Sequence, residues 1–191
     1  MTISTERLIE QLPDLLDELR EVQQFLSVWR AFTTPKNQAT FEPTMQQYPL
    51  FFDSVVRATF AGVIVALYRI YDNHSRSKSL RQLYADAKSL NVMAPQIAQR
   101  AADLELDIQN TWKKVCILRS NVFGHRSAKL SPELAFEKAG LTPDDLAAMI
   151  KNGQQLYNCI SRTLTRRSHA FNLSATNDVT DLMARLQKNA L

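Results

Sequence analysis

Glycine, cysteine and histidine are scarce in this chain, and long apolar runs are absent. Four glycines in 191 residues are few for a protein rich in tight turns or sheet bends, so the composition leans to helix. Two cysteines, Cys116 and Cys159, exclude a disulfide scaffold. Both fall within helical patterns and form no closely spaced ligand pair, so they read as reduced, buried thiols. No Gly-rich phosphate loop, metal-ligand cluster or nucleophile elbow is spelled, and neither a metal nor another cofactor is expected. No uninterrupted apolar run reaches the roughly 18 to 20 residues of a bilayer span. The best, "ATFAGVIVALY" (58–68), stops at Arg69 and reads as a buried helix. The start, "MTISTER", has no basic segment followed by an apolar core, so a cytoplasmic protein with no membrane partner is expected.

What is present is ordinary for a folded chain: hydrophobic residues make up 45% and charged residues 22%. The length suits one domain over residues 1–191. Leu8, Leu12, Leu15, Leu16, Leu19, Val22, Leu26 and Trp29 recur at three- and four-residue steps, the period of a long amphipathic helix. Pro13 bends that helix or marks its start. "TTPKNQATFEP" (33–43) carries two prolines without apolar period and reads as a connection. A nearly all-apolar second helix spans about Tyr48 to Tyr71 and is expected to be central.

Ser77 or Ser79 caps a short helix ending near Ser89, and Pro95 opens a long one running towards Gly124. "SPEL" (131–134) and "TPDD" (142–145) each place a hydroxyl cap before a first-turn proline. The second should launch a helix reaching about Ala170. "SATND" (174–178) caps a last, appended helix at about 176–188. The expected architecture is an all-α bundle of about five to six helices.

The net charge of +4 is unevenly spread. Residues 76–130 hold 10 Lys/Arg against 4 Asp/Glu, while residues 1–75 hold 6 against 9 and residues 131–191 hold 7 against 6. A local basic excess is what contact with phosphates requires, although solvated helix faces collect lysines too. Within it lies "LRSNVFGHRS" (118–127). On one straight helix Arg119 and Arg126 project together, whereas His125 is rotated from Arg119 by about 120°. To meet at one atom, either the backbone departs from α-geometry near Gly124 or two copies of the helix must share their side chains. The bland reading is a packed histidine hydrogen-bonded to Asn121 one turn earlier.

"RSNVFGH" resembles the Arg-x4-6-His signature of the HEPN superfamily (higher eukaryotes and prokaryotes nucleotide-binding), with five intervening residues. "LYRIYDNHSRSKSL" (67–80) followed by "ILRSNVFGHRSAKL" (117–130) is similar to its abortive-infection type U (AbiU-like) branch, which also carries a Phe-x-His-Arg tetrad, here Phe123 to Arg126. The resemblance implies a HEPN-like helical bundle with the motif at the C-terminal end of a long helix. It also implies a metal-independent endoribonuclease, a toxin or phage-defence effector acting in abortive infection or as half of a toxin-antitoxin pair, assembled as a homodimer.

On that reading Arg119 and His125 are the catalytic pair. Ser120, Asn121, Arg126 and Asp72, the last with His74 and Arg76 nearby, are supporting residues. Active members of the superfamily commonly carry Asn, Asp or His after the arginine, where this chain has Ser120. A non-catalytic module binding RNA, a nucleotide or a protein through the same groove is therefore the alternative. Arg162, Arg166 and His169 form an i, i+4, i+7 helical face suited to RNA backbone contact, and equally suited to a helix C-terminus. RNA, a second copy of the chain and an antitoxin or regulatory protein are the expected partners.

Overall fold

The computed structural model describes residues 3–74, 77–124 and 130–189. Among them all regular structure is helical: α1 (Thr5–Thr33), α2 (Pro35–Met45), α3 (Pro49–Ile70), α4 (Leu80–Ser89), α5 (Pro95–Leu118), a π-helical turn (Arg119–Phe123), α6 (Pro132–Ala139), α7 (Pro143–Thr165) and α8 (Thr176–Asn189). The all-helical expectation holds, but eight α-helices replace the expected five or six.

The helix that the sequence pattern hides is α2, which occupies the segment read as a connection. Thr34 is extended at φ −67° and ψ 138°, and Pro35 takes the first helical position, where a missing N–H leaves no hydrogen bond unmade. Pro43 falls near the end of the helix, so only a late ladder bond is lost. Pro13, likewise, lies inside α1 and does not start it. The caps follow the pattern more closely. Ser79, Ser131 and Thr142 each accept a backbone N–H in the first turn of α4, α6 and α7.

α7 ends at Thr165 rather than near Ala170. Arg166 turns left-handed at φ 59°, and the Asn158 side chain then holds the returning chain. It donates to the His169 carbonyl at 2.9 Å and accepts from the His169 N–H at 2.8 Å.

Contacts divide the chain into two compact units, Met1–Arg20 with Ile64–Phe171, and Glu21–Val63 with Asn172–Leu191. In the first, α5 packs chiefly on α7. Lys114, late in α5, reaches Asp145 at the start of α7 at 2.8 Å, while Arg100, early in α5, reaches Gln155 at 2.6 Å. The two helices are therefore antiparallel. Tyr71 and Tyr157, both fully buried, donate their hydroxyls to the carbonyls of Met149 and Leu12. Gly153 of α7 faces Tyr71 so closely that a Cβ there would overlap its hydroxyl oxygen. In the second unit Ala31, Phe32, Phe41, Phe52, Val179 and Met183 form the core, with the Phe32 and Phe52 rings 5.6 Å apart.

α3 is less central than its composition suggests. Val63, Ile64, Ala66, Leu67 and Ile70 are buried, but Leu50 is 84% and Phe51 60% exposed. Its best 18-residue window has a mean hydropathy of 1.8 and is only 28% buried. By length and composition it is a helix that could cross a membrane, although Asp53 and Arg57 interrupt its apolar run.

Candidate active site

The stripe Leu104, Ile108, Val115 and Leu118 buries one face of α5, and α-geometry stops at Leu118. Beyond it the Gly124 N–H donates to the Arg119 carbonyl at 2.6 Å, an i to i+5 bond that closes a π turn over Arg119–Phe123. Such turns recur at functional sites because they re-aim side chains that an α-helix would disperse. The Asn121 amide donates to the Ile117 carbonyl at 2.7 Å, adding a donor where the ladder changes register. Phe123 meets the ring of Phe136 on α6 edge to face, with centroids 6.5 Å apart.

The π turn lays the half-buried Arg119 side chain between two surfaces. On one side its guanidinium carbon lies 4.4 Å from the centroid of the Tyr68 ring, well inside cation–π range. The other contact is Gly124. A Cβ at 124 would stand 2.8 Å from the Arg119 carbonyl oxygen and 3.3 Å from its guanidinium carbon and Nη1. Gly124 has an ordinary φ of −97°, so what its lack of a side chain supplies is room.

Tyr68 is supported in turn. Its ring stacks on Trp112 at 6.3 Å with an interplanar angle of 20°. The Arg81 guanidinium lies 5.4 Å from the Trp112 centroid. Arg81 is fixed by Glu105, with Nε 3.1 Å from Oε1, and by a hydrogen bond to Asn73. Glu105, Trp112 and Arg119 are each seven residues apart, so they share one face of α5 and its extension. Cys116 sits among the same charges. Burial pushes its thiol up to about 11, against the opposing pull of Arg119 and Arg81 and with a small upward push from Asp72. A thiol so raised is a neutral neighbour at physiological pH.

The model of the HEPN AbiU2 family matches residues 5–184. The chain belongs to the AbiU2 family of HEPN proteins. No curated protein and no solved structure matches it.

Among the candidate residues of this AbiU2 chain, Arg119, Ser120 and Asn121 all lie in the π turn, Ser120 exposed and the other two half-buried. His125 and Arg126 lie outside the described residues, as does Arg76. Asp72 follows α3 and shares the Cys116 neighbourhood with Arg119. Its carboxylate accepts the His74 N–H at 3.1 Å and its carbonyl the Ser79 hydroxyl at 2.8 Å.

Arg162, Arg166 and His169 do not form the expected helical face, because α7 ends before Arg166. Arg162 lines a cleft with Ile97 and Arg100 at the start of α5, about 28 Å along that helix from Arg119. The His169 ring packs edge-on against Tyr157 at 5.6 Å. Tyr68, Trp112, Arg81 and the packing role of Gly124 went unread in the sequence. The seven-residue step from Trp112 to Arg119 was the available signal.

Proposed function

We propose that this AbiU2 chain is a metal-independent endoribonuclease, a toxin or phage-defence effector that works as a homodimer in the cytoplasm. The observation that carries the reading is the held guanidinium of Arg119, laid against Tyr68 and against Gly124, the residue that precedes His125 in sequence. Family membership agrees with it.

In the proposed reaction the ribose 2′-oxygen attacks the adjacent phosphorus. The P–O2′ bond forms as the P–O5′ bond breaks, leaving a 2′,3′-cyclic phosphate and a 5′-hydroxyl. His125, whose ordinary pKa lies near neutrality, takes the 2′-hydroxyl proton or delivers one to the departing 5′-oxygen. Such positioned transfer contributes about 10²- to 10⁴-fold. Arg119 offers a planar fork of donors to the non-bridging oxygens, where charge accumulates in the transition state. With one motif histidine per chain, the second proton carrier comes from the partner subunit or from water. Ser120, Asn121, Arg126 and Asp72 are assigned supporting roles, and Arg162, Arg166 and His169 contacts with RNA backbone. An antitoxin or regulatory protein is the proposed restraint on the activity.

The test is incubation of the purified protein with mixed RNA in EDTA. Wild type should yield cyclic-phosphate ends, and His125→Ala and Arg119→Ala should each abolish them. Salt-sensitive binding without cleavage would instead select the non-catalytic module, the reading favoured by the exposed Ser120 beside Arg119.

A further inference from the structure

Glu105 is buried, 7% exposed, yet it lines a groove of about 520 Å³ between α4 and α5 together with Arg81, Tyr84, Lys88, Asp103 and Gln109. Its Oε1 accepts from Arg81 Nε at 3.1 Å and from Gln109 Nε2 at 2.9 Å. Its Oε2 is buried with no donor among the described residues. A buried carboxylate oxygen without a donor is costly and rare, and where it occurs it asks for a partner. The side chain able to yield is Gln109, half-buried, whose amide is held by Glu105 alone among the described residues.

The lining decides what kind of partner fits. Two carboxylates, Glu105 and Asp103, stand among two cations, Arg81 and Lys88, so the lining has no net positive charge to draw a bare phosphate. A neutral group that brings N–H donors needs none. Arg81 connects this groove to the candidate active site, since the same guanidinium that pairs with Glu105 covers the Trp112 ring, and Trp112 stacks on the Tyr68 that holds Arg119. Glu105 lies about 21 Å from Arg119 along one helix face.

We infer that the α4–α5 groove is a nucleobase subsite that takes guanine, through donation from the base edge to Glu105 Oε2 and to the Oε1 that Gln109 vacates. Unstacked bases of single-stranded RNA are read along their Watson–Crick edges. Guanine is the standard base that presents two adjacent donors there, N1–H and the N2 amino group. Adenine and cytosine present one amino group beside an acceptor, and uracil presents one N–H between two acceptors. Lys88 and the exposed part of Arg81 are placed at the rim for the flanking phosphates. The inference rests on the ribonuclease reading only for the identity of the strand that carries the guanine.

The test titrates the full-length protein, with Trp29→Phe leaving Trp112 as the sole tryptophan, against GMP, IMP and AMP, following Trp112 fluorescence. GMP should bind about tenfold tighter than IMP, which lacks the N2 amino group, and than AMP. Glu105→Gln should erase the difference between GMP and IMP. Because removing half of an ion pair can harm folding, Lys88→Ala serves as a second variant. It should weaken all three nucleotides alike and leave the preference intact.

Equal affinity for GMP and IMP in the wild-type site, or no binding of either, would overturn the subsite. RNA cleavage with no guanine preference removes the subsite and leaves the ribonuclease. Selective GMP binding by a protein that leaves RNA intact does the reverse.

Discussion

At Gly124 one methyl group decides where Arg119 points. The backbone there is an ordinary right-handed conformation, so the effect of Gly124→Ala is one of contact: its Cβ would press on the Arg119 carbonyl oxygen at 2.8 Å and on the guanidinium at 3.3 Å. RNA cleavage should fall by up to about a hundredfold, the cost of small misplacement in a reacting group, with a small drop in melting temperature as the π turn gives way. Unchanged cleavage would remove Gly124 from the account. Tyr68 gives the complementary test. Tyr68→Phe keeps the ring that faces Arg119, whereas Tyr68→Leu removes a cation–π contact of about 1 kcal/mol and should weaken RNA binding about fivefold. An equal loss in Phe and Leu variants would show that the hydroxyl, not the ring, matters. The arginine was legible because motif spacing is a property of consecutive residues. Tyr68 was not, since it lies 51 positions earlier and only folding brings its ring over the guanidinium.

Capping is where sequence and helix agree best, because a cap is a contact between residues three apart. At the start of α7, Thr142 accepts the Asp145 N–H at 3.1 Å, and Asp145 accepts the Thr142 N–H at 3.0 Å. Lys114 beside Asp145 holds its carboxyl below the usual carboxylate range, with the Thr142 N–H adding to the effect. Thr142→Ala should therefore cost about 1 kcal/mol. A carboxylate depressed in the folded state stabilises above its unfolded pKa, and that contribution is lost as the pH falls through the folded value. The melting-temperature gap between wild type and Asp145→Asn should thus be full at pH 7 and close in strong acid. A gap unchanged down to pH 2 would assign it to shape rather than charge. Gly153 carries the opposite lesson. Alanine is the better helix former by about 1 kcal/mol, but its methyl would overlap the Tyr71 hydroxyl, so Gly153→Ala should destabilise by about 1 to 3 kcal/mol. Adding Tyr71→Phe should recover part of the loss in chemical denaturation. Periodicity could not show that glycine's packing role, nor α2 behind its prolines, nor the π turn, whose register change leaves the residue types untouched.

The basic excess of residues 76–130 surrounds one Arg119 and one His125 per chain, while the proposed transesterification must both remove a proton and return one. That count is the physical ground for expecting a dimer, and it can be separated from simple association. Arg119→Ala and His125→Ala protomers, each inactive alone, should regain part of the RNA cleavage when unfolded and refolded together, if one chain's arginine serves the other chain's histidine. Sedimentation equilibrium should give twice the mass of one chain for wild type and for both variants, so that loss of assembly is not mistaken for loss of chemistry. Dimers that show no complementation would confine each site to its own chain, with water as the second proton carrier. A monomer that still cleaves RNA would remove the partner subunit from the mechanism altogether, leaving the positioning of Arg119 to its own chain, through Tyr68 and Gly124 among the described residues.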